Sequence, residues 1–139
     1  MISWMLLPLR RYAQFSGRAC RKEYWHFVLF LIICLIVLSV IETMLGLGTT
    51  ERWAESVEPG FGYSAGASHN GGPLMGLFAL ATLIPSLAVG VRRLHDTDRS
   101  GWWLLIGLIP LVGAIVLLVF YVEKGTVGPN RFGEDPLQA

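Results

Sequence analysis

His95 stands beside Asp96, the pairing by which a carboxylate orients a histidine as a general base. Both lie in a charged run from Val91 to Trp103 that also holds Arg92, Arg93, Asp98, Arg99 and Ser100. Base catalysis needs a nucleophile within hydrogen-bond reach and a pocket around it. The sequence groups neither with His95, so no catalytic residue is expected and the protein reads as a non-enzyme. His26, Cys34 and His69 are scattered, whereas a closed metal site takes about four grouped ligands. Neither metal nor other cofactor is therefore expected. Cys20 precedes the first apolar run and Cys34 lies inside it, a separation that argues against a disulfide.

The carboxylates are the more informative chemistry. Glu42 lies near the far end of the first apolar run, roughly 22 Å along a helix from Phe27. A carboxylate at membrane depth is a functional-site candidate by default; the plainer reading places it at the far interface within reach of Lys124. Glu23 follows Arg18, Arg21 and Lys22, where a negative charge opposes attraction to anionic lipid unless a cation meets it. The cations of the charged run are the expected partners. Glu23 is expected on Arg92 or Arg93, and Asp96 on Arg18 or Arg21, with His95 and Arg99 beside them, as an ion network across one face.

The elements that must position these groups are apolar. Of the 139 residues, 53% are hydrophobic and 15% charged, against about 25% charged in a soluble domain. A span needs roughly 20 apolar residues. Residues 26–47, 73–92 and 102–123 qualify, the last two carrying no charge except at their ends. The expected fold is an all-α integral membrane protein: a single membrane-embedded domain, residues 1–139, with three transmembrane helices. Residues 1–9 add a short amphipathic segment, interrupted by Pro8, that either lies in the interface or covers the other helices. It lacks the features of a cleavable signal peptide. Tyr24 and Trp25 at one span and Trp102 and Trp103 at another are interfacial anchors.

Arg10, Arg11, Arg18, Arg21 and Lys22 precede the first span and Arg92, Arg93 and Arg99 follow the second, while residues 48–72 hold only Arg52 among cations. The positive-inside rule makes the N-terminus and the charged run cytoplasmic and residues 48–72 external. Three spans then carry the tail outside, although Lys124 and Arg131 count against that. In the external loop, residues 50–57 have the signals of a short helix stopped by Pro59, followed by a glycine-rich loop. The net charge of +1 offers no argument for nucleic acid. The expected partners are membrane lipids, anionic headgroups among them, and a second copy of the chain.

Pro85 and Pro110 interrupt the second and third spans at similar distances from the charged run. With Thr82 and Ser86 they form a candidate intramembrane polar or kink site together with Glu42, because paired helix breaks can build an ion or substrate site; kinks satisfied by neighbouring helices are the plainer reading. Ser86 and Gly90 permit close helix packing, internal or between copies. A second topology turns the third segment back at Pro110 to Gly113 as a re-entrant hairpin, each arm reaching roughly 12 to 14 Å. It would put the tail on the same side as the charged run. Asp96, Asp98 or Ser100 can cap the third segment.

Three stretches carry a family resemblance: Gly17 to Trp25 (GRACRKEYW), Arg92 to Trp103 (RRLHDTDRSGWW) and Gly125 to Pro136 (GTVGPNRFGEDP), in that order. The chain resembles the YhaH-like small bacterial inner-membrane proteins, a family built on a domain of unknown function. The likeness spans nearly everything except residues 48–72; Cys20 stands where a basic or small residue is more usual. The resemblance implies a multi-pass protein of the bacterial inner membrane and three motifs that act together, and it implies no activity. Two functions follow as expectations: a structural, envelope-maintaining or partner-organising component, or an oligomeric ion channel or small transporter.

Overall fold

A computed structural model describes residues 2–47, 49–56, 63–70 and 72–137. The chain divides into two compact units, residues 1–32 with 82–139, and residues 33–81. Helix α1 spans Ile2–Arg10 and α2 spans Arg21–Leu45. Strands β1, Thr49–Ser56, and β2, Tyr63–Asn70, precede α3, Pro73–Asp96. A 3-10 helix over Gly101–Leu108 and helix α4, Val112–Val122, complete the order.

Helices α2 and α3 are both long and apolar enough to cross a membrane. Length alone does not separate such a helix from the core of a soluble protein; burial does. Only 6% of the most apolar stretch of α2 and 22% of that of α3 is buried, so these helices turn Leu, Ile and Val outward. Buried instead are Arg18, Glu23, Arg92, Arg93 and Asp96, next to a small apolar core of Ala19, Phe27 and Val89. A fold with apolar residues outside and ion pairs inside suits a hydrocarbon solvent. Leu9 of α1 packs on that small core, and Pro8 beside it is buried.

The expected third span is not a continuous helix. Pro110 has no N–H to donate, and the chain reverses there: Ile109 N–H donates to the Ile106 carbonyl at 2.9 Å and Val112 N–H to the Pro110 carbonyl at 2.7 Å. The second bond closes a three-residue turn on Leu111, at φ 64° and ψ −62°, the rare and strained form of the γ-turn. The returning helix lies against the outgoing one. Trp103 meets Phe120 edge to face at 5.5 Å, and a Cβ on Gly113 would stand 1.8 Å from the Ile106 carbonyl oxygen. Eight residues of 3-10 helix and eleven of α-helix each rise roughly 16 Å, so the arms match in length. The third segment is therefore a helical hairpin, and the tail returns to the charged run, Thr126 N–H bonding to the Asp96 carbonyl. Ser100 caps it, its hydroxyl accepting from Trp102 N–H at 3.5 Å.

Pro85 behaves differently, since α3 runs through it unbroken. The two prolines are thus not paired breaks. The Ser86 hydroxyl donates to the Thr82 carbonyl at 2.6 Å, a local bond that occupies a polar group in an apolar helix. The close approach at Gly90 is internal: a Cβ there would stand 3.1 Å from the Tyr121 hydroxyl and 3.2 Å from Leu104.

In the second unit, β1 and β2 pair antiparallel, with Thr49 opposite Asn70 and Ser56 opposite Tyr63. A two-stranded sheet thus accompanies the expected helices. The expected helix over residues 50–57 is strand as far as Ser56, and part of the expected glycine-rich loop is its partner strand; Val57 to Phe61 lie outside the described residues. Threonines and tryptophan favour strand, and pairing the two segments satisfies their backbone N–H and C=O groups.

Candidate functional site

The site is assembled from the end of α3 outward. Arg92 and Arg93 are adjacent and so point about 100° apart around the helix. Arg92 faces the start of α2, where its Nη1 donates to Glu23 Oε1 at 2.6 Å. Arg93 faces the end of α4, where Nε donates to the Tyr121 carbonyl at 3.2 Å and Nη2 to the Glu123 carbonyl. Those carbonyls lack N–H donors within α4 because the helix ends there, and a cation at a helix C-terminus also meets the negative end of its dipole. The third donor, Arg93 Nη1, reaches Asp96 Oδ2 at 2.6 Å, one turn along α3.

Asp96 is the centre of the arrangement. Its other oxygen, Oδ1, accepts from Arg18 Nη2 at 2.9 Å and Nε at 3.1 Å. Arg18 continues into the tail, donating to the carbonyls of Thr126 and Gly128 at 2.6 Å each. The Asp96 backbone carbonyl accepts from Thr126 N–H at 2.8 Å, and the neighbouring Arg92 carbonyl accepts from Ala19 N–H at 2.9 Å. One carboxylate thus ties together the segment before α2, the end of α3, the end of α4 and the tail. Three guanidiniums face two carboxylates here, and the tail and helix-end carbonyls make up the difference.

The His95 ring is held by the tail and by the loop before α2. It stacks on Phe132 at 3.9 Å with 3° between planes, Nδ1 lies 3.1 Å from the Gly17 carbonyl, and the His95 carbonyl accepts from Asn130 Nδ2 at 2.9 Å. His95 therefore packs the tail against the loop before α2. Asp98, at φ 56°, pairs with Arg131 at 3.1 Å on the exposed rim. The Leu137 N–H holds the Asp135 carboxyl below its ordinary value, with burial opposing and the Gly128 N–H and the Arg18 charge adding to the effect.

Two of the ion-network candidates, Arg21 and Arg99, stand outside this cluster. Arg21 is exposed and donates to the Val122 carbonyl at 3.3 Å. Arg99 pairs with Glu123 at 2.7 Å and lies 4.1 Å over the Phe120 ring, bracing the base of the hairpin. Among the anchors, Tyr24 packs on Tyr121 and Trp25 at centroid distances of 4.5 and 5.5 Å, while Trp25, Trp102 and Trp103 remain exposed. Glu42 belongs to the other unit. It is buried, and its carboxylate accepts from Gly72 N–H and Met75 N–H at 2.9 Å each, at the start of α3, where a carboxylate satisfies orphan donors and complements the dipole. Thr82, Pro85 and Ser86 lie along α3, and Pro110 sits at the hairpin turn. Thr126, Gly128 and Asn130 are participants that charge patterning missed, because they contribute backbone and amide groups.

The Arg92–Glu23 pair has a distinctive weakness. Arg92 Nε and Nη2 are buried without a hydrogen-bond partner among the described residues, so a single bond holds the pair. Removing one member still leaves an unpaired buried charge, which typically costs about 3–5 kcal/mol. Glu23→Lys should therefore lower the melting temperature of the detergent-solubilised protein. Arg92→Glu added to it should recover much of the loss, and Arg93→Glu should not, since Arg93 serves Asp96 and α4. Equal rescue by both would remove the partner assignment.

The sequence has counterparts among known proteins. A family model described as a protein of unknown function (DUF805) matches residues 12–134. The chain belongs to this family. The matched range contains every ion pair of the DUF805 cluster. The chain is 42% identical over 135 residues to the inner membrane protein YhaI of Escherichia coli (strain K12), covering 97% of this chain and 96% of that one. It is equally similar to the inner membrane protein YhaH of the same strain, with 97% of each covered. No solved structure matches. The outward-facing apolar helices and these relatives agree that this DUF805 chain is a membrane protein.

Proposed function

We propose that the chain is a multi-pass protein of the bacterial inner membrane with two spans, α2 and α3, and a re-entrant hairpin that enters and leaves on the cytoplasmic side. Its role is non-enzymatic: a rigid cytoplasmic plate that maintains or organises envelope components. The observation that carries this reading is Asp96 bridging Arg18 and Arg93 while Arg18 holds the tail. The charges are turned inward and bonded to one another, the arrangement of a latch. The hairpin arms, roughly 16 Å each, are too short for about 30 Å of hydrocarbon, which supports re-entry. Arginine and lysine flank the same face, which supports its cytoplasmic placement.

A reporter fused after Ala139 should give a cytoplasmic signal; a periplasmic signal would reject the two-span arrangement. The purified protein in liposomes tests the role. It should pass no ions at any applied potential. Flux that disappears in Pro85→Ala or Glu42→Gln would replace the latch reading with an oligomeric channel or small transporter.

A further inference from the structure

A cleft of about 140 Å³ opens at the start of α2, between it and the tail. Arg21, Lys22 and Lys124 line it, and Asp96 and Asp135 stand in its walls. The wall carboxylates are occupied: Asp96 accepts from two guanidiniums, and Asp135 accepts from Gly128 N–H and Leu137 N–H. Lys22 and Lys124 are exposed and have no ion pair among the described residues. The cleft therefore presents cations that lack a counter-charge.

A second, open groove of about 420 Å³ shares Arg21 and Lys22 with the cleft and continues past Trp25 and His26 to Val122. Beyond it, Leu29 on α2 and Val119 and Ile115 on α4 are exposed apolar side chains. A cationic slot thus opens directly onto an apolar groove, with an aromatic side chain at the junction.

We propose that the slot and groove form a binding site for one anionic phospholipid, its phosphodiester between Arg21, Lys22 and Lys124 and an acyl chain along Trp25 and Val122. Charge selects the headgroup. A phosphodiester neutralises the uncommitted cations, whereas the ammonium of a zwitterionic headgroup would meet them without a free carboxylate to accept it. The proposal rests on the reading that this face meets the cytoplasmic headgroups.

The test is native mass spectrometry of the full chain in detergent, titrated with phosphatidylglycerol or phosphatidylethanolamine. One phosphatidylglycerol should be retained in preference to phosphatidylethanolamine. Each headgroup cation near a membrane surface contributes enough that Lys22→Gln and Lys124→Gln should each weaken binding about fivefold, and the double variant about 25-fold. Arg11→Gln, which removes an exposed cation elsewhere, should bind as the parent does. Equal retention of the two lipids, or an equal loss in Arg11→Gln, would overturn the site. Displacement by glycerol phosphate as readily as by the lipid would reduce it to a phosphate site and overturn the groove. A C-terminal reporter separates the two readings: a periplasmic signal rejects the orientation, and a cytoplasmic signal with no lipid preference rejects the site alone.

Discussion

Asp96→Asn should be the most damaging single-atom change in the chain, lowering the melting temperature in detergent and exposing the tail to protease. The substitution preserves shape and removes the charge that two buried guanidiniums share, from Arg18 on one oxygen and Arg93 on the other. Breaking a buried pair by removing one partner typically costs about 3–5 kcal/mol. Here two cations lose the same partner, so the upper end of that range is expected. An amide also has only one acceptor oxygen, so one arginine must face an NH2 group. The tail should be loosened first, because Arg18 donates to its Thr126 and Gly128 carbonyls: limited proteolysis should cut near residues 126–133 in the variant while α2 and α3 stay intact. A variant that melts like the parent and resists protease would show that the tail carbonyls alone hold Arg18 and that Asp96 is incidental.

The second large effect lies at the hairpin. Gly113→Ala places a methyl group where the Ile106 carbonyl oxygen already stands, 1.8 Å away. The obstacle is backbone, which cannot swing aside like a side-chain tip. Overpacking in a well-packed core typically costs about 1–3 kcal/mol, and the hairpin must open to admit even this small group. Leu111→Gly should act in the opposite direction. It relieves a side chain held at φ 64°, a conformation that costs about 1–3 kcal/mol outside glycine. In detergent the melting temperature should rise in Leu111→Gly and fall in Gly113→Ala. An unchanged melting temperature in Gly113→Ala would mean that the segment turns without requiring close contact at Gly113.

The contrast between these sites shows what the sequence could reveal. Apolar runs of the right length, interrupted only by Glu42, read directly as α2 and α3, and the arginine-rich ends read as a network, because burying a lone charge is so costly that its partners are predictable in kind. The partners' identities were less accessible. Glu23 had two candidate arginines, and only the angular offset of adjacent residues at the end of α3 separates Arg92 from Arg93. Length favoured a third span, since residues 102–123 suffice to cross a bilayer. The competing signal was local, Pro110 followed closely by Gly113, and its strength depends on how closely the arms approach. The pairing of Thr49–Ser56 with Tyr63–Asn70 was hidden for another reason: it is non-local, and short threonine- and glycine-containing stretches show neither helical nor alternating periodicity clearly.

The reach of Arg18 has a consequence for biosynthesis. Its carboxylate partner lies 78 residues downstream and its carbonyl partners on Thr126 and Gly128 lie 108 and 110 residues downstream. During translation the arginine must wait, hydrated, until Thr126 and Gly128 have been made. Insertion of α2 and α3 can precede that moment, but locking cannot. A prematurely terminated chain would therefore occupy the membrane with its guanidinium unsatisfied and its N-terminal loop open, a state that a quality-control protease could distinguish from the finished protein.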